Sequence, residues 1–391
     1  MSPARKTWGF IASATAIIAS IAAGGYGLAV AFGRAVVTPA RVPAAPLTVR
    51  EVRRSANGDT IVLTQGEDAA LAGDQSFIFS EGNGHARVGA VVREQCGTVE
   101  RELLSIERGR LAAGATGRIT GWWFTGPGDV SDDWSEVTVP GPLGDLPAWR
   151  IGEAGQGSRA WAIHVHGRGA RREETLRGVD PLMRAGFSHL VLSYRNDPGA
   201  PAAPDAKYGL GATESEDVLA AIAYAVAHGA ETVLLVGWSM GAAAVLIAAE
   251  RAAQGLVAGI VLESPGIDWP GILRHQARRS RVPAAAARLG ARLLERGSRA
   301  TGVLGPVPVS RLTPERFASE LRVPVLQLVS REDTFVPAAG ALRLAELRPE
   351  LVRTVEVPGA EHVKLWNHDR GVWEAALYGF GRQSLDDGSR G

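Results

Sequence analysis

One short pattern in this sequence could supply a catalytic nucleophile: Gly-x-Ser-x-Gly, at Gly237, Ser239 and Gly241. A serine at a sharp turn from a strand into a helix exposes its hydroxyl for attack on a carbonyl carbon. Glycine makes up 48 of the 391 residues, so the pattern arises by chance in about one such chain in three. The flanking sequence must therefore decide between a nucleophile and a serine in a structural turn.

The flanking residues favour a nucleophile. The apolar run TVLLVG (232–237) predicts a buried strand that ends at the serine, and MGAAAVLIAAERAA (240–253) predicts a helix that begins after it. The two glycines would allow this strand and helix to approach closely. We therefore interpret Ser239 as the nucleophile.

A serine nucleophile needs a histidine base, and the base needs a carboxylate to orient it. Where such a turn carries the nucleophile, the acid and then the histidine follow it along the chain. Asp333 comes just after the apolar run VPVLQLVS, and His362 comes just after the run RTVEVP. The sequence thus predicts a triad of Ser239, Asp333 and His362. The spacing leaves open Glu332 or Asp268 as the acid and His368 as the base.

The elements that must position these residues alternate in type. Apolar runs such as AWAIHVHG, HLVLSY and AGIVLESP alternate with stretches that have helical periodicity. This alternation predicts an α/β fold, a mostly parallel sheet with helices on both faces. Before it, short runs such as TIVLT and RVGAVV between glycines predict a small β-rich accessory region.

The chain from about 135 to 383 resembles the α/β-hydrolase superfamily, in particular bacterial serine aminopeptidases, dienelactone hydrolases and prolyl-oligopeptidase-type domains. The residues that carry the resemblance are HVHGRGARREE, YRNDPGAP, GWSMG, EDTFVP and GAEHVKLWN, in this order. The resemblance implies an oxyanion hole formed by the backbone N–H groups of Met240 and Arg168. It also implies two-step acyl transfer without a metal or an organic cofactor. His164 and His166 are expected to shape the loop that contains Arg168.

Two further side chains are predicted near the substrate. Trp238 precedes the nucleophile, and either lines the site or packs beneath it. Tyr208 lies in a long loop rich in proline and glycine, RNDPGAPAAPDAKYGLG, that is expected to border the site.

The N-terminal region predicts a membrane anchor. From Thr7 to Gly33 there is no charged residue, and this length is enough to cross a bilayer core of about 30 Å. A cleaved signal peptide and a buried helix are the alternatives. The expected location is the membrane, with a single pass, and basic residues on both sides of the segment leave its orientation open.

The predicted organisation is a tail (1–6), a transmembrane helix (7–33), a linker (34–46), a β-rich region (47–133), the hydrolase domain (134–383) with a cap insertion at about 266–322, and a tail (384–391).

The cap insertion is basic. Between Pro270 and Arg299 there are eight arginines and one acid, Glu295, and Arg288, Arg292 and Arg296 recur at four-residue spacing. A solvated helix face is one interpretation, and a face for anionic lipid headgroups or an acidic substrate is the other.

The overall composition limits the classes of function that are plausible for this chain. A net charge of +1 gives no reason to expect nucleic acid, and the single Cys96 excludes an internal disulfide. No Cys/His spacing typical of a zinc site is present. We therefore predict a membrane-anchored serine hydrolase that cleaves small-molecule esters. The alternatives are a serine peptidase, an acyltransferase and a catalytically silent binding module of the cell envelope.

Overall fold

The computed structural model describes residues 24–39, 47–152 and 159–388. The first described element is a helix, α1, over 24–37. Two further parts follow along the chain, a closed β-barrel and then an α/β domain built on an eight-stranded sheet.

Six antiparallel strands close into the barrel in the order β1-β2-β5-β4-β3-β6. Alternate side chains point inward and form one apolar core that includes Leu47, Val49, Ile61 and Phe77. Pairing of the first strand with the last closes the ring, so the barrel has no free edge. The strands are β1 (Leu47–Arg53), β2 (Thr60–Thr64), β3 (Gln75–Phe79), β4 (Gly84–Gln95), β5 (Thr98–Arg108) and β6 (Thr116–Thr120).

The sheet of the α/β domain has the order β14-β13-β12-β11-β9-β10-β8-β7. Strand β8 is antiparallel to both of its neighbours, β7 and β10, and the remaining strands pair in parallel. The carboxyl ends of β9 and β11 to β14 therefore meet at one edge, where a ligand site is expected in such a sheet. The strands are β7 (Trp134–Gly141), β8 (Gly144–Ile151), β9 (Ala160–Val165), β10 (Ser188–Leu192), β11 (Thr232–Trp238), β12 (Val257–Glu263), β13 (Val325–Val329) and β14 (Val352–Glu356).

Helices cover both faces of this sheet, which is why its strands are continuous apolar runs. Trp161 and Ile163 pack in one cluster with residues of α3, α4 and α8, whereas Ala160 and Ala162 pack in the other with α2 and α10. The helices are α2 (Val179–Ala185), α3 (Ser215–Ala227), α4 (Met240–Arg251), α5 (Trp269–Arg279), α6 (Ala284–Glu295), α7 (Pro314–Glu320), α8 (Ala339–Leu347), α9 (Leu365–His368) and α10 (Arg370–Gly388). Helices α5 to α7 lie in the predicted cap insertion.

The N-terminal boundary differs from the prediction. Helix α1 continues to residue 37, so 34–37 belong to a helix rather than to the predicted linker, and Val37 is buried in the core of the α/β domain. Ala29 and Gly33 pack on Gly290 of α6, where the backbones approach too closely for any larger residue at Gly290. No helix among the described residues is long and apolar enough to cross a membrane. Most of the predicted span, 7–23, lies outside them.

The C-terminal boundary also differs. Helix α10 extends through Gly388, beyond the end of the α/β domain predicted at 383. Ser384 is buried and Leu385 packs against the core, so these side chains hold the last turns of the helix on the domain.

Candidate active site

Ser239 occupies the tight turn between β11 and α4. Its backbone has φ 50° and ψ −115°, a conformation that residues with a side chain rarely adopt. A Cβ at Gly241 would lie 2.3 Å from the carbonyl oxygen of Val165, and one at Gly237 would lie 2.7 Å from that of Gly241. Only glycine fits both positions, and the turn lifts the serine hydroxyl above the carboxyl edge of the sheet.

The predicted base and acid lie in line with this hydroxyl. His362 Nε2 is 2.9 Å from Ser239 Oγ, and His362 Nδ1 is 2.7 Å from Asp333 Oδ2. Asp333 follows β13 and His362 follows β14, so neighbouring parallel strands deliver the two side chains to the same edge. This is the hydrogen-bond arrangement in which a histidine takes a proton from a serine while a carboxylate orients its ring.

Burial and three neighbouring groups determine the protonation state of the Asp333 carboxyl. Burial raises the pKa of its carboxyl, but the neighbouring His362 and the backbone N–H groups of Phe335 and Val336 outweigh burial, and the pKa lies below its ordinary value. Both amides donate to Oδ1, at 2.9 and 2.8 Å. Asp333 is therefore ionised throughout the neutral range, as an orienting acid must be.

The alternative acids and the alternative base are engaged elsewhere. Glu332 Oε2 accepts hydrogen bonds from Ser330 Oγ and from the backbone N–H of Gly359. Asp268 caps α5 by accepting from Gly271 N at 2.9 Å. His368 ends α9, with its ring beside Gly359. None of these three side chains is hydrogen-bonded to Ser239 in the described part of the chain.

The loop after β9 lies directly against the nucleophile. A Cβ at Gly167 would be 2.9 Å from Ser239 Cβ, so only glycine allows this approach. Arg168 directly follows Gly167, and Met240 is the first residue of α4, so the two residues predicted to form the oxyanion hole directly follow residues that lie at the nucleophile turn or against it. The Arg168 side chain points away from the site and donates to the carbonyl oxygens of Val36 (2.8 Å) and Thr38 (3.2 Å) at the end of α1.

The two predicted substrate contacts are buried instead. Trp238 packs beneath the sheet edge and donates from its indole N–H to Glu263, so the structure selects the packing alternative. Tyr208 is 3 % exposed, and its hydroxyl accepts from Gly169 N at 3.1 Å. Tyr208 is therefore a support of the loop after β9 rather than a surface for the substrate, because its ring packs into the domain core.

Buried polar residues support the same loop: His166 was expected to do so from the sequence, whereas Glu174, Tyr194 and Asp197 were missed. Glu174 Oε2 accepts from Gly167 N at 3.2 Å, and the Tyr194 hydroxyl donates to the Gly167 carbonyl at 3.0 Å. His166 pairs with Asp197 at 2.7 Å; burial lowers the pKa of this histidine, but Asp197 outweighs burial and raises it. These contacts hold the loop from both sides.

Glu263 lies beneath the nucleophile, where it ends β12. It accepts from the indole N–H groups of Trp238 (2.8 Å) and Trp373 (3.0 Å), and burial raises the pKa of its carboxyl. Its own backbone carbonyl accepts from Ser239 N at 2.9 Å. The one sequence signal for this residue was a lone acid at the end of an apolar run, AGIVLESP.

An exposed aromatic side chain lies beside the base of the predicted triad. Phe335 is 41 % exposed, and its ring centroid lies 5.1 Å from that of His362. Beside it, a cavity of about 270 Å³ lies between α5 and α8 and is lined partly by Pro265, Ile272 and Val336. No group of three His, Cys, Asp or Glu side chains within the described ranges is arranged to hold a metal ion.

Comparison with known families identifies the α/β domain. Residues 162–378 match the model of the alpha/beta hydrolase family, and the match covers more than half of the chain. The chain therefore belongs to the alpha/beta hydrolase family, and the predicted superfamily is confirmed. Residues 48–120, the barrel, match a domain of unknown function, DUF8805. No match was found among curated proteins.

Several solved structures of esterases are similar to this chain at low sequence identity. The esterase Pf2001 from Pyrococcus furiosus is 18% identical, with a TM-score of 0.52 over 67% of this chain and 94% of that one. Est1E from Butyrivibrio proteoclasticus, solved with ferulic acid, is 15% identical, with a TM-score of 0.49 over 64% of this chain and 99% of that one. At these identities the likeness to Pf2001 confirms the fold.

Proposed function

We propose that this protein is a serine esterase in which Ser239, His362 and Asp333 form the catalytic triad. The observation that carries the proposal is the unbroken hydrogen-bonded line from Ser239 Oγ through the His362 ring to Asp333, at the tight turn before α4. Esters as the substrate class are supported by membership of the alpha/beta hydrolase family and by the esterase Pf2001, which shares the fold.

The proposed reaction has two steps. Ser239 Oγ attacks the ester carbonyl while His362 Nε2 accepts its proton, and Asp333 stabilises the resulting imidazolium. The backbone N–H groups of Arg168 and Met240 stabilise the oxyanion. The imidazolium then protonates the departing alcohol, which leaves an acyl-enzyme. Water, deprotonated by His362, attacks the acyl group and regenerates Ser239.

The direct test is covalent capture followed by turnover. In a fluorophosphonate, Ser239 Oγ would displace fluoride from phosphorus, and mass spectrometry would locate the label on a peptide that contains Ser239. The same full-length protein would be assayed with p-nitrophenyl esters of increasing chain length and with peptide p-nitroanilides. Labelling of Ser239 with ester turnover is the expected result. Turnover of peptides alone would replace the esterase with a peptidase, and a folded protein without labelling or turnover would favour a binding module.

The proposal includes a tether to the membrane. Residues 7–23 contain no charged residue, and α1 follows them directly. Helix α1 packs on Gly290 of α6, whose arginines Arg288 and Arg292, with Arg296 after it, are all exposed. A basic face beside the start of the described chain is suited to anionic headgroups, because each arginine near such a surface contributes about 1 kcal/mol.

Changing Arg288, Arg292 and Arg296 together to glutamine is expected to weaken binding to anionic vesicles by about 100-fold, since roughly 3 kcal/mol of attraction is lost. Binding would be measured by co-sedimentation with phosphatidylglycerol-containing vesicles, using protein that begins at residue 24 and so keeps α1. The charge-matched control changes Arg251, Arg322 and Arg353, which are exposed elsewhere on the α/β domain. Equal binding by both triple variants would contradict the lipid-facing role of α6.

A further inference from the structure

The barrel contains none of the proposed catalytic residues, yet one of its segments touches the loop that carries His362. This segment, 66–74, connects β2 to β3. Asp74 N donates to the carbonyl oxygen of Asn367 at 2.9 Å, and Asn367 Nδ2 donates to the carbonyl oxygen of Asp74 at 2.7 Å. Asn367 is buried in α9, five residues after the histidine. The two bonds make a reciprocal joint between the barrel and the α/β domain.

Asn367 also connects this joint to the residue next to His362. Its Oδ1 accepts from Arg177 Nη1 at 2.7 Å, and the same guanidinium nitrogen donates to the carbonyl oxygen of Val363 at 2.9 Å. Val363 has φ 50°, a left-handed conformation that is strained for a β-branched residue and persists only where its surroundings hold it. Arg177 and Asn367 are part of those surroundings, so they help to fix the course of the chain at His362.

The same barrel segment reaches the loop of the acid by a second route. Glu67 is paired with Arg279 of α5, and Arg279 Nη1 donates to the carbonyl oxygen of Thr334 at 3.0 Å. Thr334 directly follows Asp333. One segment of the barrel is therefore linked to the loops of both the base and the acid.

The joint at Asn367 is closely fitted. Gly73 has φ 77°, and a Cβ there would lie 2.0 Å from the carbonyl oxygen of Asn367 and 2.9 Å from His368 Cα. Both of these atoms belong to the backbone of α9, so they cannot move aside as the end of a flexible side chain could. Even one methyl group at Gly73 would displace the barrel or α9.

We propose that the barrel is a positioning element of the active site, and that Asn367 is the positioning residue through which segment 66–74 holds the loop of His362. The proposal rests on the triad proposed above. It gives the barrel, a domain of unknown function, a defined part in the reaction: it keeps His362 aligned with Ser239. A misplacement of about 1 Å in a reacting group can cost about 100-fold in rate.

The test compares two glycines of the barrel. Gly73→Ala places a methyl group in the joint, whereas Gly97→Ala, at φ 78°, has nothing within 4 Å and shares only the backbone cost. We expect Gly73→Ala to lower kcat for p-nitrophenyl ester hydrolysis by about 10- to 100-fold with little change in KM. Gly97→Ala should leave both constants near those of the parent. Equal kcat values for the two folded variants, or a change in KM alone, would overturn the proposal.

A second pair of variants tests the joint if Gly73→Ala fails to fold. Asn367→Asp keeps an acceptor for Arg177 but loses the donor to Asp74, whereas Asn367→Ala loses both. If the barrel contact positions the loop, Asn367→Asp lowers kcat almost as much as Asn367→Ala does. If kcat is lost in Asn367→Ala alone, the support comes from Arg177 and the barrel has no part in it. A parent protein without ester turnover or fluorophosphonate labelling would instead reject the proposed function itself.

Discussion

Replacing Ser239 with alanine is expected to lower kcat for ester hydrolysis by about a million-fold, to a rate near that left by binding and the oxyanion donors alone. The physical reason is that Ser239 Oγ lies 2.9 Å from His362 Nε2, which accepts its proton as the oxygen attacks the substrate. An alanine at this position offers no atom that can form the acyl-enzyme. Fluorophosphonate labelling should disappear together with turnover.

A buried serine elsewhere provides the control for this variant. Ser384 lies in α10, and its hydroxyl is hydrogen-bonded to the carbonyl oxygen of Phe380. Ser384→Ala should keep both labelling and kcat, because this hydroxyl contributes to helix packing alone. Substantial turnover by purified Ser239→Ala would mean that another residue is the nucleophile.

Replacing Asp333 with asparagine is expected to lower kcat by about 10,000-fold. Oδ1 of Asp333 accepts from two backbone N–H groups, those of Phe335 and Val336. An asparagine must keep its oxygen toward these donors, which turns its NH₂ group toward His362 Nδ1. The histidine would then accept at Nδ1 and carry its proton on Nε2, and it could no longer take the proton of Ser239.

The neighbouring acid is the matched control for this change. Glu332→Gln makes the same chemical alteration one residue earlier, where the side chain accepts from Gly359 N and Ser330 Oγ rather than from a histidine. Its kcat should stay within a few-fold of the parent, because the Glu332 carboxylate is hydrogen-bonded to neither His362 nor Ser239 among the described residues. Equal losses in both variants would show that the loop, rather than the Asp333 carboxylate, determines activity.

The sequence by itself determined the fold class and the places of the three candidate catalytic residues. These depend on local features: alternating strand and helix patterns, glycines on both sides of Ser239, and polar residues directly after apolar runs. Parallel strands bring their carboxyl ends to one edge, so residues that follow different strands converge there whatever the details of packing. For that reason Ser239, Asp333 and His362 could be named before their distances were known.

The tertiary structure alone decided how neighbouring side chains are used. Asp333 and Glu332 are adjacent and chemically alike, and it is the turn after β13 that aims one at His362 and the other at Gly359. Tyr208 was likewise expected to contact the substrate, but it is buried and its hydroxyl accepts a hydrogen bond from Gly169 N. Such choices depend on the direction in which a side chain points. No periodicity or spacing in the sequence encodes that direction in a loop.

Contacts between parts of the chain that are distant in sequence could not be predicted either. Asp74 and Asn367 lie almost 300 residues apart, and no pattern relates them, yet they form the joint between the barrel and the α/β domain. The docking of α1 on Gly290 is of the same kind, since the uncharged run predicted a membrane anchor and left a buried helix as an alternative. For residues 24–37, the three-dimensional packing shows which apolar surface is covered by protein.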